Sequence, residues 1–194
     1  GGDGDDIIAG LRGSDVLAGG GGYNTLVFQG DAAITVTDTA LSVTDEVTPN
    51  GPAVSFSTAT SGFSLAVLTG GAGANVLDAS AFSGNAVLDG QGGDDRLIGT
   101  ANADTFTGGT GLDTLDGRGG DDVVVEAGDR DFTLTDSTLL AGGELDILSS
   151  IEGAELTGGD GANRLDATTF TGMLGVVLDG GAGDDILVGS VRDD

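Results

Sequence analysis

Four nine-residue units follow one another without a break from Gly90 to Val125, and their period constrains what this chain can fold into. They read GQGGDDRLI, GTANADTFT, GGTGLDTLD and GRGGDDVVV. In each unit the first residue is Gly, the sixth is Asp and the eighth is apolar. An amphipathic helix needs apolar residues every three or four positions, so this spacing argues against a helix. We therefore predict six residues of turn followed by three of strand, because glycine permits tight turns.

Similar units recur along the chain. Residues 1–27 hold GGDGDDIIA, GLRGSDVLA and GGGGYNTLV, and single units stand at 70–78 (GGAGANVLD), 158–166 (GGDGANRLD) and 180–188 (GGAGDDILV). The period stops in two irregular segments, 28–69 and 126–157. There, apolar residues alternate with Thr and other polar residues, which is typical of half-buried strands.

The two irregular segments are versions of one sequence. DAAITVTDTAL at Asp31 aligns with DRDFTLTDSTL at Asp129, 98 residues later, whereas LTGGAGANVLDA at Leu68 aligns with LTGGDGANRLDA 88 residues later. The difference indicates a ten-residue insertion in the first copy, at about residues 44–53. We therefore predict two long repeats in one continuous solenoid. The first, 1–98, has nonapeptides at 1–27 and wider β-helical rungs at 28–89; the second, 99–194, has nonapeptides at 99–125 and 180–194 and wider rungs at 126–179.

Composition excludes several classes of function. The chain has 32 acidic and 6 basic residues, a net charge of −26, and no His or Cys. Without His or Cys there is no disulfide, no usual zinc site and no His-dependent catalytic triad. Nucleic acid is excluded as a partner because phosphate binding needs a basic patch. No apolar run is long enough to span a membrane. The sequence opens and closes inside a repeat, so we expect a monomeric segment of a longer chain.

The nonapeptide resembles the GGxGxDxUx repeat of RTX (haemolysin-type) calcium-binding proteins. This resemblance implies an all-β fold, a right-handed parallel β-roll or β-helix solenoid with Gly-rich calcium-binding turns. Successive turns alternate between the two edges of the roll, so turns 18 residues apart stack and share an ion. Sharing is needed because calcium takes six to eight oxygen ligands, more than one turn supplies.

By the same resemblance, the lower turn of each pair offers its sixth side chain and the carbonyls of its second and fourth residues. The upper turn offers its sixth side chain and the carbonyls of its first and third residues. The two best-matched sites would use Gln91, Gly93, Asp95, Gly108, Thr110 and Asp113, and Thr100, Asn102, Asp104, Gly117, Gly119 and Asp122. Three further candidates are Gly2, Gly4, Asp6, Gly19, Gly21 and Asn24; Gly71, Gly73, Asn75, Gly90, Gly92 and Asp95; and Gly159, Gly161, Asn163, Gly180, Ala182 and Asp185.

An Asp in a Gly-rich turn can also hydrogen-bond only to its own backbone and bind nothing. The uniform register of the four central Asp residues favours calcium over this alternative. For Asn24, Asn75 and Asn163 both interpretations remain open, because Asn suits a tight turn without an ion.

The function implied by the resemblance is a calcium-binding structural module of a secreted or cell-surface bacterial protein. Such a module is exported by type I secretion and folds on calcium outside the cell. The alternatives are an adhesin or ligand-binding segment, for which rows of hydroxyls such as Thr35 and Thr133 would offer a flat face, or the non-catalytic part of a secreted protease, lipase or polysaccharide-modifying enzyme. The sequence offers no nucleophile–base pair that can be named, so we expect no catalytic activity.

Overall fold

The computed structural model describes residues 1–10, 15–48 and 51–191, and for 45–48 and 51–58 it describes the backbone only. All regular elements in these ranges are β-strands. The described residues therefore contain no helix that could cross a membrane.

The strands, in chain order, are β1 (Ile7–Ala9), β2 (Val16–Ala18), β3 (Thr25–Gln29), β4 (Ala33–Thr37), β5 (Ala40–Thr48), β6 (Gly51–Ser61), β7 (Leu65–Thr69), β8 (Val76–Ala81), β9 (Asn85–Asp89), β10 (Arg96–Ile98), β11 (Thr105–Thr107), β12 (Thr114–Asp116), β13 (Val123–Ala127), β14 (Phe132–Thr135), β15 (Thr138–Ala141), β16 (Glu144–Ser149), β17 (Gly153–Thr157), β18 (Arg164–Thr169), β19 (Gly175–Asp179) and β20 (Ile186–Val188).

The strands form two sheets. The eight-stranded sheet has the order β1-β3-β7-β9-β11-β13-β17-β19, and all its neighbours are parallel. The twelve-stranded sheet has the order β2-β6-β5-β4-β8-β10-β12-β16-β15-β14-β18-β20. In the central nonapeptides the chain crosses from one sheet to the other in every unit, so neighbours in a sheet lie 18 residues apart, as Leu97 and Leu115 do. This arrangement confirms the predicted parallel β-roll solenoid.

The core lies between the sheets and is built from the inward side chains of each strand. Three-residue strands place their middle residue inward, which is why the eighth position of the nonapeptide is apolar. Leu97, Phe106, Leu115 and Val124 are all at most 1% exposed. Longer strands alternate in the same way, as in β3, where Leu26 and Phe28 are buried.

The prediction of wider β-helical rungs at 28–89 and 126–179 is wrong for the part of each segment in which the strands pair antiparallel. β4, β5 and β6 form an antiparallel three-stranded meander, and so do β14, β15 and β16. Each meander lies within the twelve-stranded sheet and joins the parallel strands on either side of it: β2 pairs with β6, and β4 with β8. In the second copy β12 pairs with β16, and β14 with β18.

Short connections explain the antiparallel pairing, because parallel strands need a long crossover. Only Gly142 and Gly143 separate β15 from β16, and both have positive φ angles, +60° and +107°. Two left-handed residues match the turn type that suits a two-residue hairpin. At the preceding turn the Thr135 hydroxyl accepts hydrogen bonds from the Ser137 and Thr138 N–H groups. In the first copy β5 and β6 are longer than their counterparts β15 and β16. The predicted ten-residue insertion falls in this longer pair of strands, and residues 49–50 within it lie outside the described ranges.

Candidate metal centres

The Gly-rich turns lie along two edges of the roll. Turns on the first edge lead from the eight-stranded to the twelve-stranded sheet, and turns on the second edge lead back. Parallel pairing of the strands that follow them stacks five pairs of turns directly on one another: 1–6 under 19–24, 70–75 under 90–95, 90–95 under 108–113, 99–104 under 117–122, and 158–163 under 180–185. These are the five pairs that the sequence predicts. We call the space between two stacked turns an inter-turn gap.

The same hydrogen bond crosses every one of these gaps. The backbone N–H of the lower sixth residue donates to the side-chain Oδ1 of the upper sixth residue. The bond joins Asp95 N to Asp113 Oδ1 at 2.8 Å and Asp104 N to Asp122 Oδ1 at 2.8 Å. The other three pairs repeat it at 2.7–3.0 Å: Asp6 to Asn24, Asn75 to Asp95 and Asn163 to Asp185. One oxygen of each upper sixth side chain therefore aligns the turns, and in the Asp residues the second oxygen is left for a different partner.

That second oxygen has no protein partner in three of the four central units. The Oδ2 atoms of Asp95, Asp113 and Asp122 are buried and accept no hydrogen bond. All three residues are at most 2% exposed. An unpartnered charged oxygen in the interior is costly, because burial removes its hydration and nothing replaces it. A cation in the gap would supply that missing partner.

The first glycine of each turn leaves room for this oxygen. A Cβ added to Gly90 would collide with Asp95 Oδ2, and would lie 2.7 Å from the carbonyl oxygen of Gly108 in the turn above. Gly99 has the same relation to Asp104 Oδ2 and to the carbonyl of Gly117. The lower carboxylate and the upper first carbonyl thus converge on one point in the gap. This convergence matches the mixed carboxylate and carbonyl oxygens that calcium prefers.

The turns occur in two backbone forms. In 19–24, 90–95, 108–113, 117–122 and 180–185, the second and fourth residues have positive φ angles, and these include Gln91 at +73° and Arg118 at +68°. In the lowest turn of each stack the second residue instead donates its N–H to the sixth side chain, at 2.5 Å from Thr100 N to Asp104 Oδ2 and at 2.6–2.8 Å in three others. The left-handed form lacks this bond, which leaves the carboxylate oxygen open.

The remaining predicted ligands are backbone carbonyls, and these also lie at the gaps. Gln91 O accepts a hydrogen bond from Thr110 N at 3.1 Å, and Thr110 O accepts one from Gly93 N at 2.9 Å. Gly2 O and Gly159 O accept equivalent bonds from the turns above them. Each carbonyl oxygen has a second lone pair, so these bonds do not exhaust its capacity.

Burial shifts the acidity of the central carboxyl groups. Desolvation raises the pKa of Asp95 to about 7, and the nearby charge of Asp113 adds to this against the N–H of Asn75. Desolvation likewise raises the pKa of Asp122 to about 7, and the pKa values of Asp104 and Asp113 are raised for the same reason. Without a cation, burial therefore opposes the ionised form that a metal ligand needs.

Comparison with known families agrees with this geometry. A family model for the RTX calcium-binding nonapeptide repeat matches the chain in four copies, at residues 1–26, 67–83, 89–124 and 176–194, which together make up just over half of it. The chain belongs to the RTX calcium-binding nonapeptide repeat family. It is therefore a calcium-binding β-roll module. No curated protein matches its sequence.

Carboxylate groups are sparse at each inter-turn gap. In the part of the chain that the structure describes, no three Asp, Glu, His or Cys side chains are grouped so as to hold a metal ion. Each inter-turn gap instead offers two sixth side chains and several backbone carbonyls. The full ligand sets named from the sequence remain predictions.

The three Asn residues stand at the ends of the RTX stacks. Asn24 is in the upper turn of its pair, and its Nδ2 donates to Gly62 O at 2.9 Å in the gap above. Asn75 and Asn163 are in the lowest turns, and their Nδ2 atoms donate downward to Asp31 and Asp129 at 2.9 and 3.2 Å. An amide N–H thus fills the gap at one end of each of these three stacks, while the amide oxygen bonds within the RTX pair. Calcium binding by the Asn-containing pairs of turns remains a prediction.

Sequence reasoning missed the residues that close the stacks. Asp31 and Asp129 lie outside the nonapeptides, and their only signal was the alignment of the two copies. Above turn 108–113, Glu126 Oε1 accepts hydrogen bonds from Gly108 N and Gly109 N at 2.7 and 2.9 Å. Nothing in the nine-residue pattern indicates that role.

Proposed function

We propose that this chain is a structural module of a secreted or cell-surface bacterial protein that folds when calcium binds outside the cell. The observation that carries the proposal is the set of buried carboxylate oxygens without partners in the stacked RTX turns. RTX repeats are typical of secreted proteins, and export by type I secretion is part of the proposal.

The electrostatics support coupling of folding to calcium. Stacking the turns brings Asp95 next to Asp113, and Asp104 next to Asp122, in a chain of net charge −26 without Lys. Like charges brought together in the interior oppose folding. An ion that binds only the folded chain stabilises it by mass action, and several ions add their contributions.

We further propose that the module is not an enzyme. The sequence has no His, Cys or Lys, and its six Arg residues are scattered among separate repeats. The function that we propose is instead to form a rigid, calcium-dependent spacer or folding unit.

A calcium titration tests the proposal. The purified chain is stripped with EDTA and its far-ultraviolet circular dichroism is followed as calcium is added, with magnesium at equal ionic strength as the control. We expect little β signal in EDTA and a cooperative gain of β signal with a midpoint on the order of 10⁻⁴–10⁻³ M, the range of extracellular calcium modules. Magnesium should substitute poorly because it demands a tight octahedron and keeps its waters.

Two results would count against it. The same β signal and melting temperature in EDTA and in calcium would show that folding does not need the ion. A midpoint of about 10⁻⁷–10⁻⁵ M, as in cytosolic sensors, would contradict folding restricted to the outside of the cell.

A further inference from the structure

Turn 117–122 is the upper turn of its stack on the second edge, and no RTX turn lies above it. The space above this turn nevertheless has the features of an inter-turn gap. Asp122 is fully buried, and its Oδ1 accepts the Asp104 N–H in the gap below. Its Oδ2 is the atom without a partner. One oxygen of the Asp122 carboxylate therefore accepts a bond within the RTX gap, and the other faces the segment above turn 117–122.

What lies above is the three-residue connection Ser150–Glu152 between β16 and β17. It makes the same bonds to turn 117–122 as that turn makes to 99–104. Asp122 N donates to Glu152 Oε2 at 3.0 Å, in the way that Asp104 N donates to Asp122 Oδ1. Gly153 N donates to Asp122 O at 3.0 Å, just as Val123 N donates to Asp104 O at 3.0 Å, and Glu152 N donates to the same Asp122 O at 2.9 Å. Glu152 thus takes the place of a sixth-position Asp.

The carbonyl of Ser150 takes the place of a first-position carbonyl. A Cβ added to Gly117 would collide with both Ser150 O and Asp122 Oδ2. Gly99 stands in the same relation to Gly117 O and Asp104 Oδ2. Ser150 has a φ of +52°, an uncommon conformation for a residue with a side chain. A carboxylate oxygen and a carbonyl oxygen therefore face one another over Gly117 as they do in the RTX gaps.

The corresponding place on the first edge is closed by a cation of the protein itself. Above turn 108–113, Arg130 Nη2 donates to Gly109 O at 3.2 Å, and Gly109 is the second residue of that turn. The same guanidinium lies 3.4 Å from Glu126 Oε2 and 3.3 Å from Glu144 Oε2. On the second edge, no arginine in the described part of the chain forms an ion pair with Asp122 or Glu152. The stack that ends at turn 108–113 therefore has an arginine above it, whereas the stack that ends at turn 117–122 has the carboxylates of Asp122 and Glu152.

We propose that calcium binds in this second-edge gap, held by Asp122 Oδ2, the Ser150 carbonyl and the Glu152 carboxylate, with the Arg118 and Gly120 carbonyls below. The proposal rests on the calcium-dependent function proposed above and adds a site that the nonapeptide pattern does not contain. Ser150 and Glu152 also line a surface cleft together with Thr171 and Met173, so the site can be reached from solvent.

Counting bound ions in variants tests the site. Glu152→Gln keeps an oxygen to accept the Asp122 N–H but replaces the charge and puts an N–H donor at the gap. Glu155→Gln is the matched control, since Glu155 lies three residues further on β17 and is exposed. Native mass spectrometry in calcium should show one ion fewer for Glu152→Gln than for the wild type, and no change for Glu155→Gln.

The outcomes separate the two proposals. If the wild type binds no calcium, the proposed function fails. If the wild type and Glu152→Gln bind the same non-zero number of ions, or if both variants lose one, this site alone is overturned. Anomalous diffraction from wild-type crystals grown with terbium gives a second measurement that needs no variant. Peaks in the RTX gaps without a peak between Asp122 and Glu152 would also overturn it.

Discussion

Replacing Asp95 by Asn should remove one calcium site and weaken another, because this residue faces two gaps. Its Oδ1 accepts the Asn75 N–H in the gap below, and its unpartnered Oδ2 faces the gap under Gly108. Asn retains the first oxygen and so keeps the turns aligned. It replaces the second oxygen with an N–H group, which repels a cation.

The expected magnitude follows from mass action. Once calcium exceeds the dissociation constant, each bound ion adds about 1.4 kcal/mol to the free energy of unfolding for every tenfold rise in calcium. Urea unfolding at several calcium concentrations between about 1 and 10 mM therefore reports the number of ions released. Asp95→Asn should lower the slope against the logarithm of calcium by about 1.4 kcal/mol per decade.

Two variants with the same change of charge serve as controls. Asp94 is the exposed neighbour, and its Oδ1 bonds to Leu112 N on the outer face, so Asp94→Asn should leave slope and stability nearly unchanged. Asp113→Asn keeps a neutral oxygen in the gap below, and the space above already holds Arg130. It should lower stability without lowering the slope. Equal slopes for the wild type and Asp95→Asn, or equal losses in Asp94→Asn and Asp95→Asn, would refute the reasoning.

The calcium midpoint should rise as pH falls from about 8 to 6, because Asp95 and Asp122, with pKa values of about 7, must lose protons to bind the ion. Their raised pKa values have the opposite effect without calcium: any stability of the ion-free fold is greatest at acid pH and is lost as pH rises through 7. Circular-dichroism titrations that give equal midpoints at both pH values would contradict this. Arg130→Gln should lower the free energy of unfolding in saturating calcium by about 3–5 kcal/mol, since it removes the cation paired with the buried Glu126 carboxylate, while the ion count by native mass spectrometry stays the same. Asp113→Ala should raise the calcium midpoint for folding more than Asn24→Ala, because Asp113 lies in the central block whereas Asn24 lies near one end of the roll; equal shifts would indicate that Asp113 is only a turn residue.

The nonapeptide pattern predicts the regular half of the molecule well for a physical reason. Each unit repeats one local structure. The positions of Gly90, Asp95 and Leu97 therefore indicate which residue forms the turn, which faces the gap and which enters the core. Parallel stacking then follows from the constant nine-residue length, and with it the five pairs of turns.

The irregular segments could not be read in the same way. Strand alternation in 126–157 predicts strands but not their direction, which depends on the length and type of the turns. Gly142–Gly143 is the sequence signal for an antiparallel hairpin, and the many other glycines of the chain hide it. Glu126, Arg130 and Glu152 gave no signal, because their roles arise from contacts with turns that are distant in sequence.

The two meanders also bear on the order in which the chain folds. β14 and β15 are joined by two residues and pair without any ion, and hairpins of this kind form within about 1–10 microseconds. Closure between more distant partners, such as Val16 of β2 and Ala59 of β6, carries a larger loop entropy. We therefore infer that folding begins in the meanders, whose hairpins form only transiently in the calcium-free chain. We expect the glycine turns between the meanders to stack only when calcium binds. Stacking then extends outward from the two meanders, so each long repeat contains its own starting point for folding.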